Sequence, residues 1–144
     1  MSRQNARMAD RPTPEDYRSA AALRAAVRLF LRRGEQAARA AGLTPQRQLL
    51  LLMIKGAPDG SEQATVGELA ERMQLAPNTV TELIDRAEDA GLVLREGDAT
   101  DGRVVRLRVT WEGEQRLAET VLALSADRHD LARRLSDLDL PETE

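Results

Sequence analysis

The chain has 144 residues, a net charge of −3, one histidine, no cysteine, and a single Trp, Tyr and Phe. That is the size of one domain with an aliphatic core. It excludes disulfides, thiol sensing, iron–sulfur clusters and cysteine zinc sites, and His129 alone cannot build a metal site.

No apolar run reaches the roughly 18 residues of a membrane span, and the N-terminus carries no apolar segment. A soluble, cytoplasmic protein with no metal, cofactor or membrane partner is expected. Charge is uneven: residues 1–47 hold ten arginines against four acids, whereas residues 65–111 hold six arginines against nine acids.

Residues 1–14 read as a flexible polar arm containing Arg3, Arg7 and Arg11 and broken by Pro12 and Pro14. From Glu15 to Ala41 a helical period places Leu23, Val27, Phe30, Leu31, Gly34, Ala38 and Ala41 on one face, and Gly42 ends it. Thr44 and Pro45 start a short helix whose run Leu49–Ile54 is apolar almost all round, which predicts burial. "APDGSEQA" (57–64) reads as a loop.

Thr65 and Glu68 form a capping box before a short helix carrying Leu69, Ala70 and Met73. Gln74-Leu75-Ala76 then breaks the chain, and Pro77 opens a helix with Val80, Leu83, Ile84 and Ala87 on its buried stripe. Gly91 stops it. Two short helices joined this tightly are a helix-turn-helix pattern.

After Gly91 the period changes from 3.6 to 2. "LVLRE" (92–96) and "VVRLRVT" (104–110) read as strands, the second with Val105, Leu107 and Val109 inward and Arg106 and Arg108 outward. They bracket a polar loop, GDATDGR (97–103), and make a hairpin wing. Thr110 caps one last helix, from Trp111 to Leu138. Its stripe of Leu117, Val121, Leu124, Arg128, Leu131, Leu135 and Leu138 steps by four and three, as in a coiled coil. A helix that long in so short a chain favours dimerisation.

A helix-turn-helix followed at once by a hairpin is a winged helix. Its second helix fits a DNA major groove, and the hairpin reaches over phosphates towards the minor groove. Arg103 at the wing tip suits a narrow, electronegative minor groove, and Asp101 is placed to orient it. The plainer alternative is an exposed ion pair worth little. Arg86 either meets phosphate or pairs with Glu82 at i,i+4.

The "ELAERM…TVTELIDRAEDAGLV" helix pair and the "DGR…VTWEG" wing resemble the MarR family of bacterial transcriptional regulators, over roughly residues 20–136. That resemblance implies a mainly α fold with a small β-hairpin wing (α+β), in which a winged helix-turn-helix lobe (44–110) is flanked by dimerisation helices (15–43 and 111–138) in one domain spanning 15–144. It implies a homodimer that represses transcription from a pseudo-palindromic operator in double-stranded DNA, with release by a small apolar or aromatic effector.

On the same resemblance Pro77, Asn78, Thr79 and Thr81 open the recognition helix, with Asn78 facing adenine. Arg95 becomes a phosphate contact and Arg103 the wing-tip contact. Leu23, Val27, Phe30, Leu117, Val121, Leu124, Leu131 and Leu135 are the dimerisation candidates. The chain differs from the family's common pattern at Gln74 (often Gly), Ala76 (often Ser) and Glu82 (often basic).

The alternative class is a winged helix that binds a protein partner, as an antirepressor does; Glu82 and the acidic lobe favour it. Catalysis is not expected. "GAPDG" lacks the Lys-Ser/Thr of a phosphate loop, and no nucleophile–His–acid set is present.

Overall fold

A computed structural model describes residues 11–140. The elements run α1 (Pro14–Ala40), α2 (Pro45–Lys55), β1 (Gln63–Ala64), α3 (Val66–Met73), α4 (Pro77–Asp89), β2 (Val93–Gly97), β3 (Val105–Val109), α5 (Trp111–Ala123) and α6 (Ser125–Ser136). Arg3, Arg7 and most of the expected arm lie outside the described residues.

Local chemistry explains the helix boundaries. Thr13 and Asp16 cap α1 reciprocally: the Thr13 hydroxyl accepts the Asp16 N–H at 3.2 Å, and the Asp16 carboxylate accepts the Thr13 N–H at 2.6 Å. The helix therefore starts at Pro14, in what reads from sequence as the arm. Thr44, Thr65 and Thr110 each accept an N–H from the first turn of α2, α3 and α5.

The chain divides into two compact units. In the first, residues up to Arg33 and from Ser125, the inner face of α1 meets α6. Arg33 donates to Asp127 at 2.6 Å, and Ala26, Leu29, Phe30 and Leu131 line a crevice of about 10 Å³. That volume holds one water at most. Leu23, Val27 and Leu31, at four-residue steps on another face of α1, stay 36–57% exposed, and Leu135 is 40% exposed.

The second unit, Gly34–Leu124, contains the winged helix. Leu50, Leu51, Ile54, Leu69, Val80, Ile84, Leu92 and Leu107 are buried together in its core. Each such side chain contributes about 1.5–3 kcal/mol on leaving water. As expected, Val80, Leu83, Ile84 and Ala87 form the inward stripe of α4. The Arg72 guanidinium donates to the Met53 carbonyl at 2.7 Å, tying α3 to the end of α2. Lys55 sits between Glu62 and Glu114, 3.0 Å from each, and these carboxylates hold its pKa above the ordinary lysine value.

The sheet has three strands in the order β1-β3-β2, not two. Gln63 and Ala64, read from sequence as loop, pair with Arg108 and Leu107 and cover the open edge of β3. Pairing across the wing is Val93↔Val109, Leu94↔Arg108, Arg95↔Leu107, Glu96↔Arg106 and Gly97↔Val105. Leu107 is fully buried and Val109 half-buried, but Val105 is 43% exposed. Near the wing tip the strand has left the core, so its inward side meets solvent.

The expected single helix from Trp111 to Leu138 is interrupted. Leu124 ends α5 at φ −96°, ψ 6°, and α6 begins at Ser125. One turn earlier the buried Thr120 hydroxyl donates back to the Leu117 carbonyl at 2.7 Å, while accepting from Gln48 at 3.3 Å. Such back-bonding competes with the helix ladder and bends it. Leu117 belongs to the core of the second unit at 3% exposure, and Leu124 is 8% exposed. Both are corrected from dimerisation candidates to core residues, because neither shows a face to a partner.

Candidate nucleic-acid interface

The turn between α3 and α4 is set by two residues that depart from the common pattern. Gln74 adopts the left-handed conformation at φ +53°, which ends α3 as glycine otherwise would. Its side-chain amide donates to the Glu71 carbonyl at 2.6 Å. Ala76 occupies the N-cap of α4 with no side-chain cap, leaving Pro77 to start the helix.

Pro77, Asn78 and Thr81 are exposed on the first turns of α4, and Thr79 is half-buried. The Thr81 hydroxyl donates to the Pro77 carbonyl at 3.0 Å. Arg86 is exposed two turns beyond Asn78. No Glu82–Arg86 ion pair forms among the described residues, so the helix does not neutralise its own acid there.

The wing tip is ordered by two aspartates. Asp98 accepts the Thr100 N–H and hydroxyl, each at 2.9 Å, and receives the Arg106 guanidinium at 3.3 Å. The Thr100 bonds lead in holding the Asp98 carboxyl below the ordinary carboxylate range. Asp101 accepts the main-chain N–H of Arg103 at 3.1 Å, while the guanidinium Nε lies 3.7 Å away. Asp101 thus fixes the backbone that carries Arg103 more firmly than its side chain, which is 96% exposed. Structure and sequence agree that this arginine stands at the tip.

Arg95 departs from expectation. Opposite Leu107 in the register, it shares the inner face of the sheet and reaches α4. There Nη2 meets Asp85 at 2.5 Å and Nη1 meets Glu88 at 2.5 Å. The Asp85 bond is the largest cause of an arginine pKa above its ordinary value. The reading of Arg95 as a free phosphate contact is corrected: two carboxylates of the chain itself already occupy its guanidinium. Arg106 and Arg108 are also engaged, Arg108 with Glu96 at 3.4 Å. Of the six arginines in residues 65–111, Arg72 is held by the Met53 and Gly56 carbonyls, Arg103 lies 3.7 Å from Asp101, and Arg86 makes no ion pair among the described residues.

Among the described residues no cluster of His, Cys, Asp or Glu is arranged to hold a metal, and no helix is long and apolar enough to cross a membrane. Sequence alone missed Arg72, Lys55 and the Arg95 clamp. Each acts on a group far along the chain, and no local signal marks such a partner.

Comparison with known proteins agrees with this geometry. Residues 41–104 match the MarR family model. The HTH-type transcriptional regulator YcgE of Bacillus subtilis is 32% identical, over 80% of this chain and 77% of its own length. The HTH-type transcriptional repressor MdtR of the same organism is 36% identical, over 67% of this chain and 58% of its own length. The chain spans 50–58% of the length of the first curated relatives it matches. A solved MarR family protein from Bacillus stearothermophilus is 32% identical with a TM-score of 0.63, covering 81% of this chain and 76% of that one. The chain belongs to the MarR family of winged-helix transcription regulators.

Proposed function

We propose that this protein is a cytoplasmic homodimeric repressor that binds a pseudo-palindromic operator, presenting α4 to the major groove and the β2–β3 wing to the minor groove. The observation that carries this reading is the pairing of exposed Pro77, Asn78 and Thr81 on the first turns of α4 with Arg103, 96% exposed at the wing tip. Asn78 reads adenine, and Arg86 and Arg103 meet the backbone or groove. The similarity to MdtR supports repression. The exposed apolar row Leu23, Val27 and Leu31, with Leu135, supports pairing of two chains. Half-buried Phe30 and Leu131 complete the proposed contact, whereas Val121 packs against the core of the second unit. Release by a small apolar or aromatic effector belongs to the same reading on family precedent alone.

A second reading, a winged helix that binds a protein partner, draws on the acidic lobe, where Arg95, Arg106 and Arg108 are all committed to the chain's own carboxylates. One titration separates the two. The purified protein and its Arg103→Ala variant are mixed with genomic fragments, including its own upstream region, at low and moderate salt. Tight, salt-sensitive binding to few fragments that weakens in the variant supports the repressor. No fragment preference at any salt, with an intact dimer, favours the protein partner.

A further inference from the structure

Glu82 lies one helical turn beyond Asn78 on α4, opposite the stripe of Val80, Leu83, Ile84 and Ala87 that enters the core. It is exposed and engages no hydrogen-bond or ion-pair partner. The other acids of the helix are placed differently. Asp85 and Glu88 share the Arg95 guanidinium, and Asp89 sits on the last turn. Glu82 is therefore the bare carboxylate of the turns that read bases.

A carboxylate offers acceptors and no donor. Against a phosphate it is repelled, and a neighbouring cation would be needed to hold it there; Arg86, four residues on, does not pair with it. Against base edges it has a use. In the major groove the cytosine N4 amine is a donor suited to Asp or Glu, whereas guanine N7 and O6 and thymine O4 are acceptors. The adenine N6 donor stands beside the N7 acceptor, which suits an amide such as Asn78 rather than a carboxylate.

We propose that Glu82 is a specificity-determining residue that accepts a hydrogen bond from the N4 amine of a cytosine in each operator half-site. This rests on the DNA-binding reading above. It turns the residue that weakens backbone attraction into one that discriminates between sequences. Binding is weaker on DNA at large, and the penalty is relieved only where a cytosine meets the carboxylate.

The test is selection from a randomised duplex library with the full chain, its Glu82→Gln variant and its Glu82→Ala variant. Affinities are then measured on the selected duplex with single base-pair changes. The wild type selects a C·G pair at one fixed place in each half-site, and replacing it weakens binding about tenfold. Glu82→Ala loses that preference and keeps the rest of the motif, while Glu82→Gln moves it towards adenine. All three proteins melt at nearly the same temperature, because Glu82 is exposed and makes no hydrogen bond or ion pair in the fold. An unchanged motif, with both variants binding every duplex more tightly by one common factor, overturns the inference and leaves Glu82 a mere repellent. If the wild type selects no motif, the DNA-binding reading itself falls, and this inference with it.

Discussion

Arg95 on β2 and Asp85 on α4 meet at 2.5 Å, and the same guanidinium spans to Glu88 on the next turn. One side chain thus ties the wing to the second half of α4. The side chains are 36–54% exposed, so each ion pair contributes only about 0.2–1 kcal/mol to stability. The tie matters more for the angle at which helix and wing address a duplex. Arg95→Ala is expected to lower thermal stability by about 1 kcal/mol and DNA affinity about tenfold, with the slope of log K against log salt unchanged. A slope that falls as it does for a lost phosphate contact means that Arg95 leaves its carboxylates to bind DNA.

That slope has an expected size. In the proposed dimer, Arg86 and the loosely held Arg103, 3.7 Å from Asp101, let two lobes neutralise about four phosphates, and the slope is about −4. Arg103→Ala removes about two of those units from a dimer and weakens binding at every salt concentration. Affinity titrations from low to moderate salt measure both. A slope near −10 brings the arginines of α1 into the contact.

Gly113 is fixed by space. A Cβ there stands 2.4 Å from the Leu92 carbonyl oxygen and 2.9 Å from the Val109 side chain. Helix α5 packs directly on the base of the wing at this point, and backbone cannot yield as a flexible side chain does. Gly113→Ala is expected to destabilise the chain by about 3 kcal/mol, at the upper end of overpacking costs. Denaturant unfolding measures it, and Gly34→Ala is the control, since a Cβ there meets nothing within 4 Å.

The uncapped start of α4 is open to improvement. Ala76 has extended backbone at φ −62°, ψ 144° but offers no oxygen to the first turn. Ala76→Ser supplies one and is expected to raise stability by about 1 kcal/mol. Thermal unfolding measures this gain, and DNA binding reports whether stiffening the turn alters how the helix enters a groove.

The Asp98 carboxylate of the wing resists protonation. The Asp98 carboxyl is held below its ordinary range by Thr100 and then Arg106, so its ionised form stabilises the folded loop. Because the folded value is depressed, that contribution is complete above about pH 5 and is lost as pH falls below about 4. An NMR titration is expected to show the Thr100 amide moving only in that acid window. In Asp98→Asn the same amide shows no such transition.

Much of this architecture is legible in local sequence. Thr44, Thr65 and Thr110 cap the helices they were read to cap, and the α4 stripe is buried as its spacing predicts. Gly91 turns the chain at φ +75° where the helical period ends. Such signals act within one or two turns of the residue that carries them, so a single chain displays them without its fold.

Tertiary structure decided what depends on distant partners. Gln63 and Ala64 become a strand only because β3 arrives more than 40 residues later with an edge to cover. The last helix breaks at Leu124, four residues beyond the point where Gln48 of α2 reaches Thr120. The arginines divide in the same way: Arg95, Arg106 and Arg108 look as free in the sequence as Arg86 and Arg103. Strand register turns Arg95 inward to Asp85 and Glu88, and the wing's own acids take Arg106 and Arg108. Sequence determines which charges exist and which helix faces are apolar. Only the fold determines which charges remain unneutralised, because ion pairing depends on distance in space, and strand pairing sets that distance.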